Sequence, residues 1–279
     1  MGGLISHHWA PSPPAPPLST IYILGPARLI CVTSSFFVLL CGLFHAAHGV
    51  FRSAFPYAPP LSPREARALS SFSASFLHHL IVVPLSLWSL LQFGGGGGVP
   101  WGAIANVAPL TLAYLLMDSA LFAVPEALDA LASAVRWRRF PALGDFAYLL
   151  HHALGVAVVA GVLAAPARLL RWVPTLLCTE ASSIPFCASY VLRKATRRHT
   201  APHARGAPAR VLEGLFVALF IATRVVMLLS AAAAFSSAGA HAGDRALVGA
   251  PGLAVLWLLC GMQLWWLWGI LKKCAKWRG

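Results

Sequence analysis

The sequence predicts an all-α protein, a polytopic transmembrane helix bundle of about seven spans, and three observations carry that expectation. Of the 279 residues, 58% are hydrophobic and only 10% are charged, a balance that belongs to membrane-embedded chains. Apolar runs of roughly 20 residues, enough to cross about 30 Å of hydrocarbon at about 1.5 Å per residue, recur along the chain. The basic residues collect on one side of those runs, as expected for cytosolic loops.

The runs lie near 22–46, 72–93, 101–123, 145–165, 168–191, 211–235 and 248–271. The first follows a Pro-rich segment, Pro11 to Pro17, with no basic residue ahead of it. That is not the start of a cleaved signal peptide, so the span is expected to be retained. Arg52, Arg64 and Arg67 lead into the second span, and Gly94 to Gly98 forms a turn on the opposite side. Arg136, Arg138 and Arg139 follow the third span, whereas Arg168 and Arg171 are the only cations between the fourth and fifth. Arg193, Lys194, Arg197, Arg198, Arg205 and Arg210 follow the fifth, Arg245 alone precedes the seventh, and Lys272, Lys273, Lys276 and Arg278 close the chain. Sixteen of the 21 Lys and Arg residues thus share one side. The N-terminus is expected to be lumenal or outside and the C-terminus cytosolic. This topology accounts for the net charge of +13, so no nucleic acid is expected as a partner. The 193–210 loop reads first as a topology signal and second as a surface for anionic headgroups. The six cysteines show no disulfide or zinc spacing and read as structural.

Topology gives the ionisable residues depths. His78 and His79 fall about 10 Å in from the cytosolic end of the second span, Asp118 about 8 Å in on the third, and His151 and His152 about 10 Å in on the fourth. His45 and His48 lie nearer the surface. Glu180 and Arg224 come out near mid-bilayer, where an isolated charge costs several kcal/mol, so an ion pair or polar bridge is predicted. Helical spacing gathers Ser71, Ser75 and His78 or His79 on one face, Thr111, Tyr114 and Asp118 on another, Asp145, Tyr148 and His152 on a third, and Thr175, Thr179 and Ser183 on a fourth. Adjacent residues differ by about 100° in direction, so one histidine of each pair should face inward, with His152 favoured over His151. These faces are expected to converge on a partly hydrated lipid pocket lined by His78, His79, Tyr114, Glu180, Ser183 and Arg224. Pro84, Pro109, Pro174 and Pro185 are expected to kink the helices around it.

These fragments resemble, in order, those of the TLC-domain family, which includes ceramide synthases and translocating-chain-associating membrane proteins. Ser75-Phe-Leu-His78-His79 is similar to its Ser-x-x-His element, Tyr114-Leu-Leu-Met-Asp118 to its aromatic segment ending in Asp, and Asp145 through His151-His152 to its His-His helix. Glu180-Ala-Ser-Ser-Ile-Pro185-Phe186, followed by Arg193, resembles its Glu-x-Ser-Thr-Pro-Phe signature, and Phe220-Ile-Ala-Thr-Arg224 its Phe-to-Arg segment. The resemblance covers residues 60–271 and leaves 1–59, a Pro-rich segment plus the first span, as an N-terminal addition and 272–279 as a basic cytosolic tail.

The resemblance implies six core spans around a lipid-accessible polar cavity, membrane lipids as partners, and a place in the endoplasmic reticulum. The function it implies is lipid homeostasis, trafficking or sensing. The alternative is acyl transfer as in ceramide synthases, with His152 or His151 as base or acyl acceptor, Asp118 assisting, and acyl-CoA as co-substrate without a further cofactor. The chain departs from the ceramide synthase pattern, since Ala153-Leu154-Gly155 follows His151-His152 in place of further histidines and an aspartate pair. No metal site is expected, because membrane hydroxylases and desaturases space their histidines three and four apart.

Overall fold

The computed structural model describes residues 26–53, 62–94, 101–136, 143–164, 169, 172–196, 207–237 and 242–276, and no strand occurs among them. The segment Pro11 to Pro17, the glycines 95–98, the loop 197–206, Arg278 and the side chains of His48 and Asp145 lie outside the described residues.

The described residues form seven helical rods, one for each apolar run. The first is α1 (Pro26–Ser53) and the second α2 (Pro63–Gly94). The third joins α3 (Trp101–Asp118), a π turn (Ser119–Ala123) and α4 (Val124–Arg136). The fourth is α5 (Leu143–Ala164), and the fifth joins α6 (Val173–Cys178), a 3-10 turn (Thr179–Ser182) and α7 (Ser183–Thr196). The sixth joins α8 (Ala207–Leu219), a π segment (Phe220–Met227) and α9 (Leu228–Ser236), and the seventh is α10 (Ala242–Lys276). Among the described residues, four stretches are long and apolar enough to cross a membrane: Pro63–Leu91, Val107–Arg136, Pro208–Ser236 and Arg245–Ala275. Ile30–Ala46 and Phe146–Gly161 are shorter apolar stretches. The fifth rod is not among these because its centre is polar. It packs instead between α2 and α8.

The third rod runs past the expected end near residue 123. A proline at 125 disfavours α geometry at Val124. The π turn carries the chain through: the Val124 N–H reaches the Ser119 carbonyl, and Pro125 sits in the first turn of α4, where a missing N–H costs little. The added helix supplies two carboxylates to α2. Arg64 Nε donates to Glu126 Oε2 at 2.7 Å, and Arg67 Nη2 to Asp129 Oδ2 at 2.7 Å. Lys194 Nζ on α7 donates to Glu65 Oε1 at 2.7 Å, and Arg193 pairs with Glu213 on α8. Ser62 and Glu65 form a capping box, with Ser62 Oγ accepting from the Glu65 N–H at 3.2 Å and Glu65 Oε2 accepting from the Ser62 N–H at 3.4 Å. A charged collar thus ties α2, α4, α7 and α8 at the end expected to be cytosolic. Such exposed pairs contribute about 0–1 kcal/mol each, so the collar sets register more than stability.

The seventh rod departs from α geometry at Gly249, whose φ of 66° and ψ of 177° suit glycine alone, with Pro251 just beyond. Apolar packing flanks the bundle centre on three sides. Leu40, Phe44, Ala113 and Met117 join α1 to α3, Val82, Val107 and Leu177 join α2, α3 and α6, and Leu228, Phe235, Leu256 and Leu259 join α9 to α10. Because α1 packs on both α2 and α3, it belongs to the bundle. Val38, Leu91, Leu258 and Trp268 face outward, as a lipid-contacting surface requires.

Candidate functional site

The polar faces of α2 and α3 meet as a three-rung ladder between antiparallel helices. Ser71 Oγ donates to Asp118 Oδ1 at 2.5 Å, Ser75 Oγ and Tyr114 OH share a hydrogen bond at 2.7 Å, and His78 Nε2 lies 3.3 Å from Thr111 Oγ1. Each step along α2 is matched by an equal step back along α3. The Thr111 hydroxyl donates its one proton to the Val107 carbonyl at 2.9 Å, so it accepts from His78 Nε2–H. In the neutral tautomer this leaves His78 Nδ1 as acceptor for His79 Nδ1–H, 3.2 Å away. His79 then turns Nε2 toward Glu180 Oε2, at 3.8 Å. The Tyr114 ring stacks on His78 with centroids 4.2 Å apart.

Asp118 ends α3 where the π turn begins and is fully buried. Besides Ser71 it receives Tyr148 OH on Oδ2 at 2.6 Å, and His152 Nε2 lies 2.9 Å from the same oxygen. The N–H direction of His152 is not aligned for a hydrogen bond there, so the contact is a close electrostatic one. The other ring nitrogen, Nδ1, lies 3.0 Å from the Tyr148 carbonyl oxygen. Both nitrogens of His152 therefore face acceptors inside the protein. His151 points the other way: its ring meets Trp266 of α10 edge-on at 5.0 Å, and its Nδ1 is buried without a partner.

The second centre joins the fifth and sixth rods. Arg224 Nη2 pairs with Glu180 Oε2 and donates to Ser183 Oγ at 2.7 Å, while its Nε donates to Ser182 Oγ at 3.0 Å. Ser183 Oγ donates to Glu180 Oε2 at 3.0 Å, closing a triangle. The local folding explains the reach. Glu180 and Ser182 lie on the tight 3-10 turn, and Arg224 on the wide π segment, so each departs from the α spacing that would separate them. The site's three charged residues all sit in or beside such irregular turns.

The structure thus brings His78, His79, Tyr114, Asp118 and His152 into one layer, with Glu180, Ser183 and Arg224 adjoining it through His79. It pairs Glu180 with Arg224, as the sequence suggests. It corrects the expectation that one histidine of each pair faces inward, since His78 and His79 are 2% and 3% exposed. α2 is flanked by α3 on one side and by the 3-10 turn on another, so neighbouring directions on the helix are both interior. For the second pair the expectation stands, with His152 inside and His151 partly exposed. The polar faces meet each other in direct hydrogen bonds where a partly hydrated pocket was expected among these residues. His45 stands exposed beside Phe44, apart from the layer. Sequence reading overlooks Ser182, which the Glu180 and Ser183 flanks could have suggested, and Gln263, a lone carboxamide in an apolar span. Among the described residues, no group of three His, Cys, Asp or Glu side chains is arranged to hold a metal ion.

A protein-family model described as TLC domain matches residues 29–272. The match begins within α1 and so takes in the first rod, ahead of residue 60 where the motif resemblance starts. No curated protein and no solved structure matches the chain significantly.

Proposed function

The chain belongs to the TLC-domain family of membrane proteins, and on that footing we propose that it acts in membrane lipid homeostasis, trafficking or sensing by holding a lipid at the buried polar layer. The observation that carries this reading is the layer itself, in which side chains from α2, α3, α5, the 3-10 turn and the π segment meet inside an apolar bundle. Buried polar groups are costly in hydrocarbon and persist where a function uses them. The family supports a place in the endoplasmic reticulum, and the positive-inside distribution supports a lumenal or outside N-terminus and a cytosolic C-terminus.

Acyl transfer from acyl-CoA is the second reading, and one observation bears on how it would run. A histidine acting as base or acyl acceptor needs a ring nitrogen free to meet substrate. Both nitrogens of His152 face internal acceptors, while His151 Nδ1 has none, so His151 is the better placed nucleophile and His152 with Asp118 the better placed support. Lipid profiling of cells with and without the protein, alongside His151→Ala and His152→Ala, separates the two readings. Lipid handling is expected to change the abundance of one lipid class, with both variants altering it only in degree. Loss of one lipid product in both variants at normal protein abundance would instead establish catalysis. An unchanged profile on removing the protein would sink both readings.

A further inference from the structure

Two buried polar atoms on the α10 side of the layer lack partners. Gln263 is 2% exposed and its Oε1 accepts no hydrogen bond, and His151 Nδ1 is equally shut off and unpaired. They lie on elements in contact, since α10 packs against α5 and against the π segment. Trp266, which meets His151 edge-on, is one turn from Gln263 on the same helix face. The sixth and seventh rods run antiparallel and are joined by two side-chain contacts. Trp257 Nε1 donates to Ser236 Oγ at 3.1 Å, and Cys260 Sγ lies 3.9 Å from the Leu228 carbonyl. One further turn along α10 brings Gln263 to the level of Arg224. Gln263 is thus a buried carboxamide on a helix that packs against both the element carrying His151 and the element carrying Arg224.

An uncompensated polar atom in a packed interior is destabilising, and a leucine would fill this position without that penalty. Resting on the lipid reading above, we propose that Gln263 and His151 form a subsite for the hydroxyl group of a membrane lipid. The hydroxyl donates to Gln263 Oε1 and shares a second hydrogen bond with His151 Nδ1. A hydroxyl fits because it both donates and accepts. With the carboxamide oriented as it is, a phosphate or carboxylate offers Oε1 no donor, and an ammonium would bring a second positive charge toward Arg224.

The test is thermal unfolding of the purified full-length protein in detergent with 1-monooleoylglycerol, and with the same lipid acetylated on both hydroxyls. The free alcohol is expected to raise the wild-type Tm by about 5 °C near saturation, and the diacetate not at all. Gln263→Leu should fold with an equal or higher basal Tm and lose the shift. His151→Phe, which keeps the edge-on packing with Trp266, should require about tenfold more lipid. No wild-type shift, an equal shift with the diacetate, or a full shift in either variant overturns the subsite. A shift that survives both substitutions does so while leaving the lipid role of the layer intact.

Discussion

Arg224→Ala is expected to destabilise the protein by about 3–5 kcal/mol, because it leaves Glu180 as a largely buried charge without its counter-ion. Ser182 and Ser183 lose a donor at the same time. Glu180→Ala should cost a similar amount by stranding the guanidinium. In a chain of this size that is a fall in Tm of roughly 10 °C, readable by thermal unfolding in detergent. The double substitution removes both charges, so it is expected to be less damaging than either single one. Losses that simply add would show that the two residues are not coupled. The serines sharpen the expectation: Ser182→Ala removes one neutral acceptor from Arg224 and should cost only about 1 kcal/mol.

Asp118→Ala is expected to be the next most damaging change. It removes the acceptor for Ser71 and Tyr148 and the anion beside His152, three groups gathered on the two oxygens of one buried carboxylate. Stranding them should cost about 3 kcal/mol or more. Asp118→Asn keeps the shape and one acceptor oxygen, but turns an amide N–H₂ toward groups that donate, so its loss should be intermediate. Tyr148→Phe removes a single donor and should cost about 1 kcal/mol. If Asp118→Ala were no worse than Tyr148→Phe, the carboxylate would not be the organising group of the layer. Unfolding measured by loss of detergent-resistant structure on heating orders the three variants.

Much of this arrangement is legible in the sequence because bilayers impose simple rules. Span length and the Lys and Arg distribution give the rods in order, and periodicity puts Ser71, Ser75 and His78 on one face and Thr111, Tyr114 and Asp118 on another. That these two faces bond to each other rung by rung is not legible, since it depends on the register between helices. The rare charges at 180 and 224 announce their pairing through the cost of leaving either alone. Periodicity fails where the backbone leaves α geometry. The π turn after Asp118 carries the third rod past Pro125, the 3-10 turn aims Glu180 and Ser182 at one partner, and the burial of both His78 and His79 follows from packing on two sides of α2. The pairing of His151 with Trp266, and the unpartnered Gln263, required the position of α10.

The central claim is that the layer holds lipid, and photolabelling tests it most directly. A monoacylglycerol carrying a diazirine close to its headgroup, added to membranes containing the protein and competed with unlabelled lipid, reports which side chains the head region meets. The expected result is competable labelling on inward positions of α2, α5 and α10, around His78, His151 and Gln263. Labelling confined to outward residues such as Leu80, Leu258, Trp265 and Trp268, and indifferent to competitor, would contradict the account.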